Sequence, residues 1–545
     1  MEDRIIPTCK RLLLLGLTLG AASPAFADAR PANDLTAYAR ARAADGDGHT
    51  QLAAAGYDQA LLQAPESVTV ARRAYREALE AGDDALIDRA VAVLDKNGAA
   101  PPDAALLALA TAVKMNDLPA QKAALARIAT SPFEFIHASL QAWVTFEQGK
   151  DALAGLDPAK GKAIARRFNA ENRALLLIAT GRVDEGVIAL RALIGTDQAS
   201  LDLRVNAAQL LAGQGRNDIA QSLLRGDDRV VVAFRSRLGT GVKASASFGL
   251  SRLFLRLAAD LAQGDPTPLS IALIRAALRV EPDSDRARLL LAAALSSNDA
   301  TEGALSTLQA IKPDSPFYPV ALDARVTVLN HAGDSARALL AAQALSASPG
   351  ADSEDATRLG QLMITARRYD DAAKAFTLSI KRAGDEVSWA HYLQLGGALD
   401  QAKRWPEARK ALERAVAMAP QEPLALNYLA YARIERSEKV AESRAMLERA
   451  SSLAPDDVSI TDSLAWSYFR TGDVARALPL LERAAKAAPA NGEIAEHLGD
   501  AYWAVGRRYE ARYSWRAAAI VAETGDSARL AAKIATGPAE VSQRP

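Results

Sequence analysis

The feature that most constrains this chain is a spacing. Pro420, Pro455 and Pro489 stand 35 and 34 residues apart, and each closes a similar run. The runs are Ala-Leu-Glu-Arg-Ala-Val-Ala-Met-Ala-Pro420, Met-Leu-Glu-Arg-Ala-Ser-Ser-Leu-Ala-Pro455 and Leu-Leu-Glu-Arg-Ala-Ala-Lys-Ala-Ala-Pro489. Upstream of each sits a second marker, Leu395-Gly396, Leu429-Ala430 and Leu464-Ala465, and Leu498-Gly499 opens a further unit. A unit of this size cannot bury a core alone and must stack on its neighbours. The length of 545 residues therefore does not translate into a count of globular domains.

The unit reads as two helices of about 12–15 residues joined by a tight turn. Small residues recur where the helices approach closest: Gly396, Ala408 and Ala415; Ala465, Ala477 and Ala484; Gly499, Ala511 and Ala518. A larger side chain there would push the helices apart. Gly472 and Gly506 fall at the turn, where a left-handed backbone is cheap for glycine. The prolines end the second helix because proline cannot continue its hydrogen-bond ladder. The composition agrees: half the residues are hydrophobic but only 5% are aromatic, as close packing through small side chains requires.

The pattern resembles the 34-residue tetratricopeptide repeat (TPR), specifically so across about 353–520. The resemblance implies an all-α fold, a right-handed TPR-type α-solenoid. Farther upstream the pattern is weaker but in phase: Leu359-Gly360 with Tyr369, Ala372 and Phe376, and Leu291-Ala292 with Ala304 and Leu308. The expected organisation is degenerate helical repeats over 28–225, middle repeats over 226–350, well-formed repeats over 351–522, and a flexible tail over 523–545. Residues 226–268 break the rhythm with the β-prone run Val230-Val231-Val232-Ala233-Phe234. An irregular pair of helices is the preferred reading there, with a short strand or inserted loop as the alternative.

Several segments narrow the resemblance to a family of proteobacterial envelope TPR proteins. They are Asn427-Tyr428-Leu429-Ala430-Tyr431, Asp462-Ser463-Leu464-Ala465-Trp466-Ser467-Tyr468, Glu496-His497-Leu498-Gly499-Asp500-Ala501-Tyr502-Trp503 and Pro313-Asp314-Ser315-Pro316-Phe317-Tyr318. The resemblance implies a secreted or lipid-anchored solenoid, in some members an adaptor that brings partners to envelope proteases or assembly machines. The chain departs from that pattern in having no lipid-attachment Cys.

The N-terminus points the same way. Lys10 and Arg11 precede the apolar run Leu12–Leu19, and Ala25-Phe26-Ala27 precedes Asp28. A basic flank, a short apolar core and an A-x-A site read as a secretory signal peptide over residues 1–27, so the mature chain is expected in the periplasm, with a peripheral outer-membrane position as the finer option. An uncleaved anchor is the alternative. The single Cys9 lies upstream of the apolar core, so cleavage leaves no thiol and no disulfide. Basic and acidic residues balance at 65 each, which gives no global field for nucleic acid or anionic lipid.

No motif carries chemistry. None of His49, His137, His331, His391 and His497 pairs with another at metal-ligand spacing. Gly239-x-Gly241-x-Lys243 lacks the full phosphate-loop spacing, and no G-x-S-x-G elbow occurs. Neither cofactor, metal nor catalytic residue is expected, and the chain is not read as an enzyme.

What remains is a surface. First helices of a TPR array line its concave face, and inward positions recur every three to four residues. In the proline-anchored register these hold Asn427, Tyr431, Asp462, Trp466, Phe469, Arg470, Glu496, Asp500 and Trp503. Aromatic rings offer contact area at low entropic cost, and polar neighbours fix orientation. The two tryptophans lie either open in the groove or packed between units. The acids make either inter-helix hydrogen bonds or ligand contacts. The expected function is a scaffold that binds protein or peptide partners, with a structural role in an envelope export or assembly complex as the alternative.

Overall fold

The computed structural model describes residues 36–157, 162–262, 268–522 and 525–538. The signal-type segment 1–27 lies outside the described residues. These hold 29 α-helices and one short 3-10 turn, and no strand occurs among them. The chain divides into two compact units, Met1–Pro101 and Pro102–Pro545.

In the first unit the helices Thr36–Gly46, Thr50–Gln63, Val68–Ala81 and Asp84–Lys96 form two hairpins. Ala53, Ala71, Ala74 and Ala78 are buried beside Tyr57, Leu86 and Ile87. Ser67 and Asp83 begin the third and fourth helices by accepting from Val70 and Leu86 N–H.

The C-terminal part of the second unit is a regular run of hairpins whose geometry follows from one contact. A methyl group on Gly360 would lie 2.6 Å from the Phe376 ring, on Gly396 2.6 Å from Leu412, and on Gly499 2.4 Å from the Trp515 indole. In all three the bulky partner stands 16 residues on, and Ala465 and Leu481 repeat that offset, both fully buried. A small residue on the first helix thus receives a large one from the second. The turns need a left-handed residue, and Gly333, Gly472 and Gly506 supply it with φ of 71°, 81° and 83°. Asp334 and Asp473 then start the second helix by accepting the N–H of Arg337 and Arg476. The second helices stop at Met418, Leu453 and Ala487, just before the three prolines.

Over 226–262 the chain forms two helices, Arg229–Arg237 and Ala246–Leu261, and 263–267 lie outside the described residues. The β-prone run is helical because the Asp228 carboxylate caps it, accepting from Val230 and Val231 N–H at 2.8 and 3.1 Å. The helix then buries Val231 and Phe234 on one face. Gly241, part of the phosphate-loop-like run, has a packing role. A methyl group there would strike the backbone of Gly213 and Gln209.

The second unit also departs from nearest-neighbour stacking. Helix Pro268–Val280 packs on Ala104–Lys114. Gly249 lies flat against Trp143, where a methyl group would sit 1.9 Å from the ring. The Trp143 Nε1–H donates to Asn172 Oδ1 at 2.8 Å, which satisfies the only polar atom of a fully buried ring.

Part of the expected tail is ordered: Ser527–Thr536 forms a helix with Leu530 buried, while 523–524 and 539–545 lie outside the described residues. Leu530 joins the cluster of Ala511, Trp515 and Ala518 and gives the segment apolar surface to cover.

These contacts predict two different glycine penalties in the last hairpin. Gly499→Ala is expected to cost about 1–3 kcal/mol, since Trp515 must shift. Gly506→Ala, facing open space, is expected to cost about 1 kcal/mol for its left-handed backbone alone. Hydrogen exchange of Arg508–Val521 measures both. Equal losses of protection would contradict the packing account.

Candidate functional site

The first helices of the C-terminal repeats, Trp389–Gln401, Pro423–Glu435, Val458–Arg470, Gly492–Ala504 and Ser527–Thr536, form the wall on which the expected site residues stand. Each carries an acid or a base that meets its opposite one repeat away. Arg436, just past its helix, donates to Asp400. The Arg470 guanidinium donates to Glu435 at 3.1 Å. His497 Nδ1 lies 3.0 Å from Asp462. Arg529 donates to Glu496, and Lys533 Nζ lies 2.6 Å from both Glu496 and Asp500. The direction is constant: the acid comes from the earlier repeat and the base from the later one. Asp323 and Arg358 extend the series upstream.

The wall places the sequence-derived candidates as follows. Trp466 is 8% exposed and does not stand open in the groove. Its ring stacks on His497 at 3.9 Å and on Phe469 at 5.0 Å, and its Nε1–H donates to Glu435 at 2.6 Å. Trp503 is half-buried, against Trp515 at 5.3 Å, with the Arg508 guanidinium 3.8 Å from its ring. The backbone at Gly537 covers it as well. Of the two placements the sequence left open, Trp466 takes the packed one and Trp503 does so in part, since a ring this large lowers the free energy more by packing than by facing water. Asp462 is buried against His497, and Asp500 also accepts the Trp515 Nε1–H at 2.9 Å. Tyr431 reaches two repeats on, its hydroxyl donating to Glu493 at 2.5 Å. Phe469 is half-buried and Arg470 is exposed. Asn427 is half-buried, and its side-chain oxygen has no hydrogen-bond partner among the described residues.

Burial and charge set the protonation of this wall. Burial works against a charged His497, but the hydrogen bond and charge of Asp462 outweigh it and hold the imidazole above its ordinary pKa. Burial raises Glu496, and the bonds from Arg529 and Lys533 reverse this, leaving it below the usual range. For Asp500 burial prevails over Lys533, and its pKa is raised. Burial and the nearby Glu493 push the Tyr431 hydroxyl up, so it remains a proton donor.

Glu435, Glu493, His497, Arg529 and Lys533 were not among the candidates. The signal was present: opposite charges on first helices, about one repeat apart. No group of three His, Cys, Asp or Glu side chains among the described residues is placed to hold a metal. His391 instead accepts at a helix start, its Nδ1 3.1 Å from the Ser388 N–H.

A family model described as tetratricopeptide repeat matches residues 255–319, 357–423, 393–458 and 463–528. These stretches match tetratricopeptide repeats, and the described residues form the all-α helical hairpins of such a solenoid. Solved structures with a similar fold include a tetratricopeptide repeat protein from Parabacteroides merdae. It is 15% identical, covers 45% of this chain and 97% of that one, and has a TM-score of 0.40. The APC/C hetero-tetramer Cut9–Hcn1 is 14% identical, covers 92% of this chain and 96% of that one, and has a TM-score of 0.36. TTC0263 from Thermus thermophilus is 18% identical over 34% of this chain and 98% of its own, with a TM-score of 0.30. No curated protein matches the chain.

The His497–Asp462 pair predicts a pH dependence. A pKa raised above the ordinary 6.5 contributes stability in full below about pH 6.5 and loses it as pH rises through the folded value. The imidazole resonances of His497 are expected to titrate above 6.5, and in Asp462→Asn to titrate lower. An unchanged midpoint in that variant would remove Asp462 as the cause.

Proposed function

We propose that this array of tetratricopeptide repeats is an exported adaptor that binds a protein or peptide partner along the inner wall of its C-terminal repeats. The supporting observation is the wall itself. Successive first helices hold one another in register through the acid-to-base series and present a preformed surface. A preformed surface loses little freedom on binding, so more of the contact energy appears as affinity. Glu435, Arg470 and Glu493 are exposed on it and are groups that a docked chain would reach.

Export rests on the sequence of residues 1–27, with its basic flank, Leu12–Leu19 core and Ala25-Phe26-Ala27 site. No helix among the described residues is long and apolar enough to cross a membrane. In this reading the periplasmic chain performs no reaction of its own and acts by bringing its partner to an envelope machine such as a protease or a cell-wall or export complex.

Two measurements test the proposal. The mature protein is expected in the periplasmic fraction with Asp28 as its first residue, whereas retention of residues 1–27 would overturn cleavage. A photo-crosslinking residue at Arg470 is expected to capture a discrete partner in cells, and one at the exposed Tyr513 is not. Equal capture at both positions would reject the inner wall. Co-fractionation of the crosslinked product with outer membrane would instead favour a structural role in an export or assembly complex.

A further inference from the structure

One helix of the second unit, Arg229–Arg237, packs mainly on a helix far along the chain, Tyr318–His331. It borders a cavity of about 450 Å³ between the helices Ala163–Ala179, Gln198–Gly213 and Ala246–Leu261, and Val230 and Phe234 form part of the lining. Of its nine residues it buries two, Val231 and Phe234. Val232, Arg235 and Arg237 are exposed.

What holds this helix in place is largely arginine. Arg229 donates to both Asp355 oxygens at 3.1 and 2.7 Å and to Asp352 at 2.9 Å. Arg237 donates to the Asp314 carbonyl at 2.7 Å, and Phe234 meets Phe317 edge to face at 5.4 Å. The receiving side stands without the helix. Asp352 and Asp355 form the capping box of Ser353–Thr365, each side chain accepting a backbone N–H of the other residue. The two carboxylates therefore keep their positions whether or not Arg229 is present.

The ends of the helix are free to bend. Left-handed glycines flank it, Gly226 with φ 112° and Gly239 with φ 57°, and both are exposed. Beyond them the chain is fixed again. Leu223 and Leu224 are buried, and the Val242 N–H donates to the Gln209 carbonyl at 2.9 Å. A stretch anchored outside its hinges, with little buried surface of its own, can leave its place without unfolding the helices beside it.

The place it occupies is acidic and incompletely filled. Five carboxylates and three guanidiniums line the cavity, and Asp283 stands fully exposed to solvent. A basic segment suits such a lining, and the helix carries Arg229, Arg235 and Arg237. The remaining volume is space that longer apolar side chains than Val230 would fill, with a gain in contact.

We propose that helix Arg229–Arg237 is a removable self-occupant of this place, and that a partner's arginine-bearing helix with apolar residues on one face binds there by displacing it. The tethered helix competes at an effective concentration on the order of millimolar. It thus keeps the site closed to weak competitors and open to a segment that fills the cavity better. The inference does not depend on the adaptor reading, since this place and the C-terminal wall share no residue.

The probe is a fluorescein-labelled peptide of residues 226–240, added to the full mature chain and followed by anisotropy. Binding to the wild type is expected to be at least about tenfold weaker than to Arg229→Ala/Phe234→Ala, in which the chain's own helix is unseated. A peptide carrying the same two changes is expected not to bind. Hydrogen exchange of the wild type gives a reading free of variants. Amides of 229–237 are expected to exchange at least about tenfold faster than those of 246–261. That comparison decides alone if the double variant loses its helical circular dichroism. Equal protection of the two helices, equal peptide binding to both proteins, no binding to a folded double variant, or equal binding of the altered peptide would overturn the proposal. A concentration-dependent wild-type dimer that the double variant does not form would give the place to a second copy's helix and overturn the partner.

Discussion

Close approach of paired helices is the constraint on which the C-terminal repeats depend. Gly360, Gly396, Ala465 and Gly499 each stand against a bulky side chain from 16 residues on, which sets how closely the paired helices approach. Uniform hairpins stack at a uniform step, and that step brings equivalent positions of successive first helices within reach of one another. The acid-to-base series is a consequence. Glu435 meets Arg470 and Asp462 meets His497 because the packing below them repeats. A methyl group at any of these glycines would disturb the hairpin and, through it, the register of the wall.

The parts legible in the sequence were those governed by local chemistry. Proline ended helices at Met418, Leu453 and Ala487, and glycine at 472 and 506 took the left-handed turn. The two-helix unit and its small contact residues follow from the same signals. Side-chain direction within a helix was less legible. Trp466 occupies an inward position in the register, yet its ring lies over His497 of the next repeat. Periodicity fixes which face a residue is on but not which neighbour its ring covers. The C-terminal segment misled for a related reason. Gly537-Pro538 and polar residues suggest fraying, whereas Leu530 and the acids Glu496 and Asp500 supply an apolar seat and charge partners for helix Ser527–Thr536.

Least legible of all were contacts between distant stretches. Arg229 lies more than a hundred residues from Asp355, and Gly249 as far from Trp143. No repeat rule connects them. They occur where the repeat signature is weakest, which is physically coherent. A strict repeat requires each unit to contact only its neighbours, so a segment that must also serve a distant partner is released from the repeat's residue choices. The glycine-flanked helix Arg229–Arg237 is such a segment, and the loss of rhythm at 226–268 marks it.

The C-terminal wall is therefore limited in what it can exchange with a ligand. Along the C-terminal wall the buried charges are already spent on one another: Asp462 on His497, and Asp500 on Lys533 and Trp515. Breaking such a pair leaves an uncompensated buried charge, which costs more than a surface ion pair returns. A partner there gains by fitting the existing shape and by using the exposed Glu435, Arg470 and Glu493, not by replacing internal pairs. Shape and the exposed charges, not the internal pairs, therefore govern recognition along this wall.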